Sequence, residues 1–235
     1  MHEFVTTEDG SLTLRVPELD EHYHSVHGAI QEARHIFLRA GIDHYRDRLR
    51  QIHAESLPLH ILEAGFGTGL NAYLTLLHAE EIQVPVCYHS LEKYPLPPEE
   101  TARLNYPALL GRPQDPLFRA LHDAPWEETV EVTPRFLLHK HFCDFRETDF
   151  PPRFDIIFFD AFNPEAQPHL WTPEVFARFS DALLPGGILV TYCVKGIVKR
   201  ALRSVGFTLE RLPGPPGKRE MLRATKKCQE TNAPE

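Results

Sequence analysis

Two hydrophobic rhythms alternate along this chain. Short, largely apolar runs occupy 59–62, 86–91, 136–145, 154–159, 188–193, 207–212 and 221–224. Each has the length of a strand, and 154–159, apolar on both faces, reads as the central strand of a parallel sheet. Helical stretches follow several of them, at 70–77, 171–183 and 195–204, with Pro185-Gly186-Gly187 as the stop after the second. This alternation predicts an α/β fold with a doubly wound, Rossmann-like sheet. It closes in a strand–loop–strand pair around Pro213-Gly214-Pro215-Pro216-Gly217. Ahead of it, 4–16 holds Glu8-Asp9-Gly10 between alternating runs and predicts a hairpin. Helices are expected at 30–38 and 41–52. Residues 1–55 thus form a small N-terminal hairpin and helix appendage on a main domain of residues 56–227. Within that domain 97–128 is rich in proline, with helical patches at 99–104 and 116–122 and a Trp126 that needs burial. It reads as an insertion between strands. Residues 228–235 read as a loose tail.

The most informative stretch joins the first main-domain strand to its helix: Glu63-Ala64-Gly65-Phe66-Gly67-Thr68-Gly69-Leu70-Asn71. Glycines let a backbone take positive φ and approach a ligand, and the helix start presents unpaired N–H groups. The spacing is G-x-G-x-G, not the G-x-G-x-x-G of dinucleotide sites. An acid just before the first glycine suits S-adenosylmethionine, whose ammonium group Glu63 can meet. Three later strands also end in acids. Glu92 lies 23 residues past Gly69, where an acidic side chain accepts from ribose hydroxyls. Asp144 is followed by Phe145, an acceptor for an adenine amino group beside a ring that covers it. Asp160 ends the central strand, so it faces the site, or it caps the Asn163-Pro164 turn.

Charge adds a partner. The chain carries −8, yet 195–227 holds ten basic and two acidic residues, so that segment is +8 and the rest −16. A basic face on an acidic protein grips phosphates on one side only, unless it is simply a solvated surface. Hydrophobic content of 42% and charged content of 25% are those of a globular protein, with no run long enough to span a membrane and no signal-peptide pattern. Four scattered cysteines suggest reduced thiols and a cytoplasmic setting. His22, His24 and His27, with His139 and His141 further on, lack metal-ligand spacing, and no metal is expected.

Several motifs occur together in one order: Tyr23 to Glu32, the glycine loop, Leu91-Glu92-Lys93-Tyr94-Pro95-Leu96, Asp160-Ala161-Phe162-Asn163-Pro164, Trp171-Thr172 and Lys218-Arg219-Glu220-Met221-Leu222. Over nearly its whole length the chain resembles the methyltransferase half of the bifunctional tRNA-modifying MnmC family, whose stand-alone form is called MnmD. The resemblance implies a class I S-adenosylmethionine-dependent methyltransferase sheet. It also implies methyl transfer to 5-aminomethyl-(2-thio)uridine at the wobble position of tRNA, giving 5-methylaminomethyl-(2-thio)uridine. The partner implied is the tRNA anticodon stem-loop, without a fused FAD oxidase domain. By this resemblance Glu63, Gly65, Gly67, Thr68, Gly69 and Asn71 hold the methionine end of the cofactor. Glu92 with Lys93 takes the ribose, and Asp144 with Phe145 the adenine. Asp160 is the expected catalytic residue, an orienter and proton acceptor and no strong base at the ordinary carboxylate pKa of about 3.9. Tyr23, Ser25, Phe162, Lys195, Lys218 and Arg219 are expected against the substrate. Other readings stay open. A small-amine N-methyltransferase or an aminopropyltransferase could use the same loop, and a catalytically silent RNA-binding scaffold could use the same basic face.

Overall fold

The computed structural model describes residues 2–51 and 58–227, so the expected tail and position 52 lie outside the described residues. Eight strands form the main sheet: β4 (Leu59–Ala64), β5 (Val86–Glu92), β6 (Thr129–Thr133), β7 (Phe136–Phe142), β8 (Phe154–Phe159), β9 (Leu183–Thr191), β10 (Phe207–Pro213) and β11 (Glu220–Lys226). A separate three-stranded sheet at the N-terminus holds β1 (Glu3–Thr6), β2 (Leu12–Val16) and β3 (Glu21–His22). The main order is β10-β11-β9-β8-β4-β5-β7-β6. Its five central strands pair in parallel, whereas β11 is antiparallel to β9 and β10, and β6 antiparallel to β7. This is the Rossmann-like methyltransferase arrangement with its closing antiparallel pair.

Side chains alternate across β8, which explains why the run is apolar throughout. Ile156 and Phe158 join the core beneath the N-terminal helices and α3 (Leu70–Ile82). Ile157 and Phe159 join the core beneath α7 (Pro173–Ala182) and α8 (Gly196–Ser204). Burial on both faces favours a strand built from Ile and Phe.

Four local expectations change. The helices expected at 30–38 and 41–52 form one run: α1 (Ala29–Ala33), a π-helical segment Arg34–Asp43 and α2 (His44–Gln51). Gly41 does not break it. A Cβ there would stand 3.3 Å from Phe158 Cε1 and 3.4 Å from Val190 Cγ2, so this glycine lets the helix lie close on the sheet. Pro185-Gly186-Gly187 falls inside β9, after α7 has already ended at Ala182, and the β8–β9 register shifts between Phe154 and Ile156. The third strand stops at Phe142, which leaves Cys143 to Phe145 in the loop that follows. Finally, β6 was not anticipated; Thr129-Val130-Glu131-Val132-Thr133 is a half-exposed edge strand with little apolar signal.

The insertion forms three short helices, α4 (Pro98–Thr101), α5 (Tyr106–Leu109) and α6 (Pro116–Asp123). Asn105 ties it to the N-terminal hairpin, accepting from Leu12 N at 2.8 Å and donating to Gly10 O at 2.9 Å. Cys87, Cys143 and Cys193 are free thiols, and among the described residues no helix is long and apolar enough to cross a membrane.

Candidate active site

The chain leaves β4 for β5 and β7 on one side, then returns to β8 and β9 on the other. Above the carboxyl ends of these strands lies a cavity of about 600 Å³. In open α/β sheets this switch point is where ligands bind.

The glycine loop forms one wall. Gly65, Gly67 and Gly69 have φ of 96°, 49° and 71°, the left-handed region that penalises any Cβ. A Cβ on Gly67 would also stand 2.9 Å from Tyr23 Cδ1, so this glycine makes room for a ring of the N-terminal segment as well as for a ligand. Gly69 is the N-cap of α3 and offers no side-chain cap. First-turn N–H groups of α3 are therefore left beside the cavity, which Leu70 and Asn71 line. Glu92 braces the loop: Oε2 accepts from Gly67 N at 3.0 Å and Oε1 from Tyr94 N at 2.7 Å.

Glu63 lies one layer behind, fully buried, with Oε2 accepting from Ser90 Oγ at 2.6 Å. Burial pushes its pKa up to about 8. Its Oε1 has no well-formed partner, which suits an acid awaiting a cation. At the other end Asp144 is gripped by Arg146 and, at 2.9 Å, by Lys93 Nζ. Hydrogen bonds from Arg146 above all hold its pKa well below the carboxylate range. Lys93 thus stands with Asp144. Phe145 packs edge-on against Phe159 and Phe179, with ring centres 5.9 and 5.8 Å apart.

Asp160 follows β8 directly and lines the cavity. Its Oδ2 accepts from Asn71 Nδ2 at 2.9 Å, which links it to the glycine-loop helix. The turn beyond is capped by Asn163 itself, whose Oδ1 accepts from Glu165 N at 2.9 Å. Burial, then the charge of Glu32, raises the Asp160 pKa to about 7. The expectation of a carboxylate at its ordinary value is therefore corrected: Asp160 can take and release a proton near neutrality. Tyr23 and Phe162 meet edge to face at 5.0 Å on the cavity wall.

Gly65, Gly67, Thr68, Asn71, Glu92 and Lys93 all line this space, as do Asp144, Phe145, Tyr23, Ser25, Phe162 and Lys218. Glu63, Gly69, Lys195 and Arg219 do not. Lys195 Nζ donates to Asn163 Oδ1 at 2.8 Å and pairs with Glu165 at 2.8 Å. Lys218 pairs with Glu32 and lies 4.0 Å from the centre of the Tyr192 ring. Arg219 is exposed.

Glu32, His24 and Tyr192 also line the cavity, although the sequence assigns none of them a role there. Glu32 Oε2 accepts from Ser25 N at 2.9 Å. Its signal was a charge on the buried stripe of a helix, three residues after Ala29 and four before Ile36. His24 joins Thr13 Oγ1 at 3.2 Å to Thr68 Oγ1 at 3.4 Å, and burial lowers its pKa to about 4. Nothing local in the sequence marks that role.

A family model described as S-adenosyl-L-methionine-dependent methyltransferase matches residues 118–227. The chain is similar to the bifunctional protein MnmC of Chromohalobacter salexigens, named for tRNA 5-methylaminomethyl-2-thiouridine biosynthesis. The two are 34% identical over 226 residues, which is 90% of this chain and 30% of that protein. MnmC of Cupriavidus necator is 31% identical over 220 residues, 87% of this chain and 32% of its own length. The chain thus spans about a third of the length of these relatives. The crystal structure of MnmC2 from Aquifex aeolicus matches with a TM-score of 0.76 at 27% identity, over 97% of this chain and 71% of that one. The loop with its orphaned buried acid fits S-adenosyl-L-methionine as cofactor. Residues 118–227 carry the match to the S-adenosyl-L-methionine-dependent methyltransferase family, and the chain as a whole is similar to the MnmD-like portion of the MnmC proteins.

Proposed function

We propose that this chain methylates the primary amine of 5-aminomethyl-(2-thio)uridine at the wobble position of cytoplasmic tRNA. The observation that carries the reading is Asp160, a half-buried carboxylate lining the cavity, held by Asn71 and with its pKa raised to about 7. When bound, S-adenosyl-L-methionine supplies a methyl group on a sulfonium. Glu63, the glycine loop and Asn71 hold its methionine end. Glu92 takes the ribose, and Asp144 with Phe145 the adenine, once Arg146 and Lys93 yield Asp144.

An alkylammonium cannot attack, so the amine must shed one proton before reaction. A carboxylate with pKa near 7 takes that proton more readily than an exposed one, and in its charged form aims the amine lone pair. With S-adenosyl-L-methionine held there, the amine would receive its methyl group, and the proton left on the methylated nitrogen would pass to Asp160 or solvent. Holding amine and methyl in line supplies most of the acceleration. Tyr23 and Phe162 offer ring edges to the uracil, and a single-stranded anticodon loop splays a base at little cost. Ser25 and Lys218 sit beside that face of the cavity.

The test is methyl incorporation from labelled cofactor into bulk tRNA that carries the 5-aminomethyl group. Incorporation that maps to the wobble uridine supports the reading. A folded, cofactor-binding protein that leaves tRNA unlabelled but methylates or aminopropylates a small amine overturns it.

A further inference from the structure

A second cluster of chemistry lies outside the cavity. β5 and β7 run in parallel, with His89 opposite His139 and Leu91 opposite His141. In that register three imidazoles project from one face of the sheet. One nitrogen of each lies within 4.8 Å of those of the other two, and His89 Nδ1 is 2.9 Å from His141 Nε2. Glu127 Oε2 stands 3.6 Å from His141 Nδ1 and 4.0 Å from His139 Nε2. Its other oxygen accepts from Phe142 N at 2.6 Å, so the backbone holds the carboxylate in place. Phe150 and Phe154 close one side, at 5.2 Å from His141 and 5.3 Å from His89. The His139 and His141 side chains keep 19% and 15% exposure, enough for an ion to enter. None of the three histidines lines the cofactor cavity.

We propose that His89, His139, His141 and Glu127 bind a divalent late transition ion of the Zn²⁺ class and so fasten β5 to β7. Three imidazoles and one carboxylate are a tetrahedral zinc donor set with no thiolate. Metal binding needs unprotonated imidazole and an unprotonated carboxylate, so binding at this site would release protons and weaken in acid. Sequence spacing hid the set, because two ligands stand two apart on one strand and the third comes from its neighbour.

The free form is a closed stack. The rings lie within 13°, 17° and 27° of parallel, so their lone pairs do not yet converge. Arg153 holds this stack by donating to His89 Nε2. For His89 to ligate through Nδ1 as neutral imidazole, its proton must sit on Nε2, and Arg153 must let go. The guanidinium therefore competes with the ion both as donor and as charge. An amide at that position would instead accept from Nε2–H, as outer-shell partners of ligating histidines do.

The experiment uses the full chain, stripped by chelator, with Co²⁺ absorption as the geometric probe and Zn²⁺ calorimetry as the affinity. One equivalent with tetrahedral Co²⁺ bands is expected in the wild type. His139→Ala with His141→Ala should lose the bands and the binding while cofactor affinity stays unchanged. Arg153→Gln should tighten Zn²⁺ by about tenfold. Failure of the wild type to bind, or a double variant with wild-type affinity and bands, overturns the site. Should the double variant not fold, imidazole resonances of the wild type decide. The chain has 14 histidines, and Zn²⁺ shifts confined to those outside 89, 139 and 141 overturn it.

Discussion

At position 67 the glycine answers to a tyrosine before it answers to a ligand. Positive φ and a Cβ 2.9 Å from Tyr23 Cδ1 act together there. Gly67→Ala should push Tyr23 off the cavity wall, weaken cofactor binding and cost about 1–2 kcal/mol in the strained backbone. Adding Tyr23→Ala should recover cofactor affinity but not the backbone cost, read by calorimetry and urea unfolding. No recovery of affinity would mean that Tyr23 is not what the glycine spares. Asp160 makes the second prediction. Because its pKa is raised to about 7, it is protonated below that pH and becomes a competent acceptor above it. Turnover at saturating substrate should therefore climb between pH 6 and 8. Asp160→Asn keeps an oxygen for Asn71 and should retain the cofactor, yet lose about 10²–10⁴-fold in turnover and the pH dependence with it. A variant that loses less than about tenfold would move the orienting role elsewhere.

Between elements, the strap formed by Lys218 of the β10–β11 loop, Glu32 of α1 and Tyr192 after β9 could not be read from the chain. Lys218 and Glu32 are 186 positions apart, and neither carries a motif that names the other. The strand-end acids were legible for the opposite reason. Glu63, Glu92 and Asp160 each terminate a run whose apolar pattern alone places its end at the ligand side of a parallel sheet. Helix boundaries at 38–41 failed because Gly41 reads locally as a break, while only Phe158 and Val190 across the core explain it. The strap also divides a basic pair that looked alike in sequence. Lys218 lowers the pKa of Asp160 and Glu32 raises it. Lys218→Ala should thus shift the pH–rate rise to higher pH, whereas Arg219→Ala should leave the profile in place. If exposed Arg219 meets a tRNA phosphate, its loss flattens the salt dependence of binding by a slope of up to about one. A pH shift from Arg219→Ala, or none from Lys218→Ala, would contradict this division.

Over the whole molecule, half of the ten basic residues of 195–227 are engaged within the protein. Arg211, Lys218 and Arg223 are in ion pairs, as is Lys195, and Lys226 donates to two carbonyls, so among the described residues Lys199, Arg200, Arg203, Arg219 and Lys227 are left to meet phosphates. The interior, by contrast, is strained by protonation. His24, His89, His122 and His141 are held near 4, 3, 4 and 4, against an ordinary 6.5, chiefly by burial. Below 6.5 the unfolded chain takes up protons that these four refuse, so stability falls with acid. Glu63 and Asp160 act oppositely, with folded pKa values raised to about 8 and 7 from 4.5 and 3.8. Their contribution is fully present below the unfolded values and is lost as pH rises to the folded ones. Between about pH 4.5 and 6.5 the histidine terms, joined by His44, oppose the falling carboxyl terms, joined by Asp155; above 6.5 the falling ones dominate until Lys140, lowered by burial to about 8, begins to add a rising one. Urea unfolding of the free protein should therefore show greatest stability near pH 6.5, with a decline toward pH 8. Glu63→Gln should flatten that decline. Saturating cofactor should flatten it too, since the ammonium group gives the buried carboxylate its missing partner. A stability that climbs steadily to pH 8 in the free wild type would show that Glu63 and Asp160 are not held protonated by burial.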